Sequence, residues 1–318
     1  MSKTISFDIN KATNNKLRYI QREFKEWMEC PDSRRDFLDD GSGGFESYLN
    51  IGEGVRLLSL AASDISHWYF MGYSTKSLTE LNPDCYLLAL ASHHAYACVI
   101  FKSVLIDQNQ MTSGLLLTEA AFNLSLIMIS GWGQEFRTLL RALRAGLDTE
   151  LLDLRVTPKH NKGRLYRHFW FLMHLACDVE GLNIDTSVYS YPDSLAPYDE
   201  VLADWKTTDL DKVTRMVQRM ADFHVLEAKS DRRKGRVYEF ENESRMLFPY
   251  EIFAFLRLRE WLGLDNPGEF DHPLMQQPLG RMPIDPGTVL ARPQTPLLDQ
   301  VVAKFNQQYP NAFPLPKD

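Results

Sequence analysis

The stretch CYLLALASHHAYACVIFKSVLI, residues 85–106, decides the fold class. Its apolar run is interrupted by a single formal charge, Lys102. A run of that length fits a buried helix, because buried strands are only about four to eight residues long. The preceding Asn82-Pro83-Asp84 is a helix-start signal. Next along the chain, LLLTEAAFNLSLIMISGW (115–132) reads as a second apolar helix, capped by Thr112 or Ser113 and broken at Gly131-Trp132-Gly133. Gln134 to Ala145 then continues as a helix, with Gly146 as its C-cap.

Upstream, Val55, Leu58, Ala62, Ile65 and Tyr69 recur at helical spacing and predict a helix from Glu46 or Glu53 to Phe70. Leu17, Ile20, Phe24, Trp27 and Met28 make one apolar stripe that stops at Pro31. Between these two, DSRRDFLDDGSGG (32–44) reads as a loop. Its glycines follow no strand and precede no Lys-Ser/Thr, so the sequence does not support a phosphate cradle there.

Downstream, Thr157-Pro158 marks a junction, and the aromatic run Arg164 to Val179 predicts a helix. Leu182 to Pro197 is loop-like. A short helix from Leu195 to Trp205 and a longer one from Asp209 to Ala228 follow. KSDRRKGR (229–236) is a basic loop, and Val237 to Glu241 alternates like a short strand or an extended loop. Pro249 starts a helix from Tyr250 to Leu262 that Gly263 closes. Prolines at 267, 273, 278, 283, 286, 293 and 296 predict an extended tail, apart from a helix at Leu297 to Gln308.

Mostly helical segments joined by short connections predict an all-α protein: an antiparallel helical bundle or α-solenoid-like array, with a proline-rich extended C-terminal tail. With 318 residues the chain can form two domains or one array. The best boundary is the loop at Leu182 to Pro192, giving an N-terminal helical region (1–181) and a C-terminal one (182–318), unless the two are continuous. Hydrophobic residues make up 44% and charged residues 24%, which is enough to bury a sizeable core.

The N-terminal MSKTISFDINKATNNK has no apolar core, so no secretory signal is read there. The nearest approach to a membrane span, Leu115 to Trp132, is broken by Thr118, Glu119, Asn123, Ser125 and Ser130. A cytoplasmic protein away from membranes is therefore expected. The four cysteines (Cys30, Cys85, Cys98, Cys177) contain no C-x-x-C pair and should be reduced there.

The net charge is −7, and its distribution is uneven. From Asp178 to Asp211 nine acids face one base, Lys206, so this segment carries −8 and the rest of the chain +1. An acidic balance argues against nucleic-acid binding, which needs clustered cations. The bland reading of the segment is a solvated surface with helix-start acids. The functional reading is a face turned toward a basic partner, with Asp193, Asp199, Glu200, Asp204, Asp209 and Asp211 as its contact residues.

Motifs for chemistry are sparse. The one Glu-x-x-His, Glu269 to His272, lies in the proline-rich tail. Asp64 and His67 share a helix face but lack a second ligand pair. One of His93 and His94 should point inward as a core histidine. Arg137, Arg141 and Arg144 line one helix face, where salt bridges to Glu135, Asp148 or Glu150 are the simplest expectation. No catalytic residue, metal site or cofactor is predicted.

FPYEIFAFLRLREWLGLDNPGEFDHPLM (248–275), with the helix before it, resembles the end of the all-helical immunity proteins of bacterial polymorphic toxin systems. The group it is most similar to is the immunity protein 49 family. A neighbouring family, the partners of PoNe-type nucleases, shares this kind of C-terminal helix. The aromatic and alanine-rich Tyr86 to Phe101 is compatible with the family's middle region. The resemblance implies a non-catalytic protein that neutralises a cognate toxin, such as one delivered by type VI secretion, by binding it. A nuclease with a basic surface would suit the acidic segment. A homo-oligomer is left open. The competing readings are a helical scaffold or adaptor and, less favoured, a metal-dependent enzyme built from Asp64, His67, His93 and His94.

Overall fold

The computed structural model describes residues 15, 18, 31–52, 54–80, 83–152, 154, 166–228, 238–242 and 244–313. Among them the protein is all-α, with eleven α-helices and no strand. Apart from residue 18, which is helical, the helix expected over Leu17 to Met28 lies outside the described residues, as do the Thr157-Pro158 junction and the basic loop 229–236. Tyr238 to Glu241 contains a turn and no strand.

Four helices lead the fold: α1 (Pro31–Ile51), α2 (Leu58–Thr79), α3 (Cys85–Asp107) and α4 (Leu117–Ser130), each packed on the next. After α5 (Gly133–Gly146) and α6 (Arg167–Val179) come the short α7 (Tyr198–Asp204) and the longer α8 (Leu210–Glu227). Helix α9 (Tyr250–Trp261) then runs back against both α4 and α6. The one-turn α10 (Pro273–Gln276) and α11 (Pro296–Gln308) complete the described chain, with α11 packed on α1.

The loop expected at 32–44 is helical. It forms most of α1, and its glycines explain both the misreading and the packing. A Cβ on Gly41 would lie 2.6 Å from Ile65 Cγ1, and one on Gly44 would lie 3.2 Å from Ala61 Cβ. These positions lack a side chain so that α1 can approach α2 closely, and that close packing outweighs their poor helix propensity. The next helix accordingly begins at Leu58 and not at Glu46 or Glu53.

Asp84 caps α3 by accepting from the backbone N–H groups of Tyr86 and Leu87, as the start signal predicts. Helix α4 begins at Leu117 with Leu116 at its N-cap, so neither Thr112 nor Ser113 caps it. It ends at Gly131, whose φ of 79° is the left-handed conformation that closes a helix. Gly146 plays a different part from the expected cap. A Cβ there would meet Leu151 Cδ2 at 2.6 Å, so its value is space for the returning chain.

Buried residues from Phe45 to Phe313 form one core cluster that crosses residue 181. Helix α9 is buried at every position from Tyr250 to Arg259. Phe70, Phe122, Phe248 and Tyr250 interlock edge-to-face around it, with the Phe70 and Phe122 centroids 4.9 Å apart. Helix α3 is long and apolar enough to cross a membrane, more so than the 115–132 run singled out above, but most of it is buried inside this core.

The tail expected to be extended holds α10 and a 3-10 turn at Pro278–Gly280, and residues 281–295 between them and α11 are irregular with their backbone tied down. Trp132 Nε1 donates to Leu290 O at 2.8 Å, and Leu290 N donates to Ser130 O at 3.0 Å. Arg257, 1% exposed, donates from Nε and Nη2 to Ile129 O at the end of α4 and pairs with Glu260 at 2.5 Å. Glu260 in turn accepts from Gly287 N.

Candidate functional site

The acidic segment folds into one edge of the molecule, made by the end of α6, the 182–197 loop, α7 and the start of α8. Phe171 of α6 stacks on Tyr198 of α7 with centroids 4.4 Å apart, which seats α7 on the core. Arg259, fully buried on α9, donates to the carbonyls of Trp205 and Asp265 and to Asn266 Oδ1. A cation at the C-terminal end of α7 satisfies a carbonyl that the helix leaves open, and fixes Trp205 in place.

Between α6 and α7 lies an open groove of about 360 Å³. Leu182, Ile184, Leu195 and Leu202 give it apolar walls, and His174, Tyr191, Trp205, Asp178 and Asp199 supply polar atoms. Tyr191 OH and His174 Nε2 are hydrogen-bonded at 2.9 Å. Burial pushes the His174 imidazolium below the usual histidine range, with Asp199 pulling the other way. Burial and then the Asp199 charge push the Tyr191 phenol up to about 12. The Asp199 carboxylate therefore acts on the groove interior. Asp199 also holds the loop, since Oδ2 accepts from Leu195 N at 3.1 Å and from Ser194 Oγ at 3.2 Å.

The expected contact residues fall into two sets. Glu200 pairs with Arg219, and Asp204 with Lys212. Asp209 caps α8 through Lys212 N and lies 3.9 Å from Arg215. These three carboxylates are met by bases of α8, one helical turn after another. Asp193, Asp199 and Asp211 are exposed. Asp193 was expected to start a helix at Leu195, but α7 starts at Tyr198 and the loop is held by Asp199 instead. Asp178, counted with the acids but not chosen as a contact, accepts from Trp205 Nε1 at 2.7 Å and pairs with Lys206 at 2.8 Å.

Sequence reasoning missed His174, Tyr191, Leu202 and Trp205. They lie on two helices and a loop whose convergence no local spacing reveals. The arginine row on α5 has other partners than expected. Arg137 pairs with Glu180 at 3.2 Å, Arg144 donates to Asn183 O, and Glu135 pairs with Arg292. Asp148 accepts from Tyr189 OH at 2.8 Å.

The histidines weighed for chemistry lie elsewhere. His94 is buried, hydrogen-bonded to Leu90 O at 2.8 Å and stacked on Phe45. Burial lowers His67, His93 and His94 to about 4, and raises Asp64 to about 6 with help from the charges of Asp40 and Glu119. Among the described residues no group of three histidine, cysteine or carboxylate side chains is placed to hold a metal ion. Cys177, at the groove wall, is a buried thiol raised to about 11 by burial, which makes it a poor nucleophile.

Comparison of the chain with family models, curated proteins and solved structures finds no match.

Proposed function

We propose that the chain is a non-catalytic helical immunity protein, which binds a cognate antibacterial toxin domain in the cytoplasm and neutralises it. The observation that carries this reading is the α6–α8 edge. There a segment with a charge of −8 presents an apolar groove lined in part by Asp178 and Asp199, and Asp193 and Asp211 of the same segment are exposed. An apolar recess that holds the Asp199 carboxylate, on a segment of net negative charge, suits a basic partner surface, such as that of a nuclease, through steering and charge complementarity. The resemblance of 248–275 to helical immunity proteins points the same way, and that stretch holds Arg259, which positions the groove wall.

The test is genetic and direct. Expression of the gene adjacent to this one is expected to arrest bacterial growth, and co-expression of this chain to restore it. Arrest that persists despite soluble, folded chain would remove the proposal.

A further inference from the structure

The groove has the chemistry of a receptacle for one long cationic side chain. A volume of about 360 Å³ is at the small end for ligand sites and suits a fragment or a single side chain. Its walls are aliphatic and aromatic, matching the stem of an arginine, and its carboxylates match the head. The molecule already uses this pairing beside the groove, where Lys206 lies over the Trp205 ring at 5.2 Å and pairs with Asp178. Lys206 therefore offsets Asp178. Among the described residues Asp199 has no such base: its hydrogen bonds come from the Ser194 hydroxyl and the Leu195 N–H, both neutral donors and both to Oδ2.

We infer that the groove receives an arginine side chain of the partner protein, its guanidinium on Asp199 and its stem against Leu202, Ile184 and Tyr191. The inference rests on the reading of this edge as the partner surface, and it adds the chemistry of the contact. The Tyr191 phenol stays neutral at physiological pH, and its ring is a flat surface on which a guanidinium can stack. Arginine is also the cation that central contacts of protein interfaces favour.

The experiment uses the full chain and a probe that needs no knowledge of the partner. Nα-acetyl-arginine amide is titrated while the indole N–H resonance of Trp205, assigned with Trp205→Phe, is followed by NMR. Nα-acetyl-citrulline amide is the neutral control of nearly equal shape. A saturable shift with arginine and none with citrulline is expected. Asp199→Asn is expected to weaken binding about tenfold, the scale of one charge-assisted hydrogen bond, while Asp199→Glu keeps it. The other indole resonances report that both variants remain folded. Equal shifts with citrulline, or an unchanged affinity in Asp199→Asn, overturn the inference. The growth assay separates the two levels. Rescue of growth by Asp199→Asn with undiminished potency strikes the groove contact and leaves the immunity reading standing. Arginine binding without any rescue by the wild-type chain does the reverse.

Discussion

Glu239 shows how much one side chain can hold. It is 8% exposed and accepts from the N–H of Arg167 at 2.9 Å, from that of His168 at 3.2 Å, from Arg167 Nε at 3.2 Å and from His168 Nδ1 at 2.6 Å. Burial pushes its carboxyl up, but hydrogen bonds and the charge of His168, with the two backbone donors, bring it below the ordinary glutamate value. The N-terminus of α6 is thereby capped from a segment far along the chain. Glu239→Ala leaves those donors unmet and is expected to cost about 3 kcal/mol or more in urea unfolding, as breaking a buried charged network does. A loss below about 1 kcal/mol would show that the 238–242 segment needs no such anchor.

Acid sensitivity is set at the same scale. His94 takes up a proton near 6.5 when unfolded but only near 4 when folded, because burial outweighs its bond to Leu90 O. The unfolded chain therefore binds more protons in that window. Stability is fully present above 6.5 and drains away as pH falls toward 4, by roughly 3 kcal/mol for this ring. His67 and His93 act in the same direction. Asp64, raised to about 6, opposes them, since its folded form gains a proton as pH falls below that value. Three rings outweigh one half-exposed carboxyl, so the urea midpoint is expected to drop between about pH 7 and about pH 5. His94→Gln should flatten that slope, and a midpoint that rises on acidification would contradict this account.

At the scale of elements, α7 and α8 divide the acidic segment into carboxylates already engaged and carboxylates open to solvent. Reversing Asp199, Glu200 and Asp204, three of the six expected contact residues, to lysine would set new lysines against Arg219 and Lys212. Such a variant mixes lost binding with repulsion inside the fold. Asp193→Lys with Asp211→Lys is the cleaner probe, because both residues are exposed. It is expected to slow association with a basic partner and to lower the unfolding free energy by no more than about 1–2 kcal/mol, the scale of reversing the Asp211 charge in the first turn of α8. An association rate insensitive to this pair at low salt would move the docking face elsewhere on the molecule.

Elements also explain what could be read in advance. The apolar runs of α3 and α4, the Asp84 and Asp209 caps and the proline-led α9 carry local signals, and the structure places them within a few residues of the reading. Helix α1 carries none. Gly41, Gly43 and Gly44 signal a loop on any local scale, and only Ile65 and Ala61, on another helix, explain why two of them stand in a helix. The site divides in the same way. The charge of residues 178–211 is visible in composition, whereas the groove arises from residues that meet only in the folded chain.

For the whole molecule, α9 is the shared support. It lies on α4 and α6, ties α4 to the irregular 281–295 segment through Arg257 and Glu260, and fixes Trp205 through Arg259. The α9 part of the stretch that carries the resemblance is thus the interior frame of the acidic edge, and its apolar pattern from Tyr250 to Arg259 reflects burial on every side.

The contact between α1 and α11 closes the molecule across most of its sequence. Lys304 on α11 donates to the carbonyls of Tyr48 and Leu49, and Phe305 and Phe313 pack edge-on against Phe101. During synthesis the apolar face of α3 must therefore wait for residues made some two hundred positions later. Closures over such separations form slowly, and the waiting surface is a hazard for aggregation and a natural client for chaperones. How quickly a cell can field this protein is governed by translation and chaperone supply as much as by the affinity of its surface.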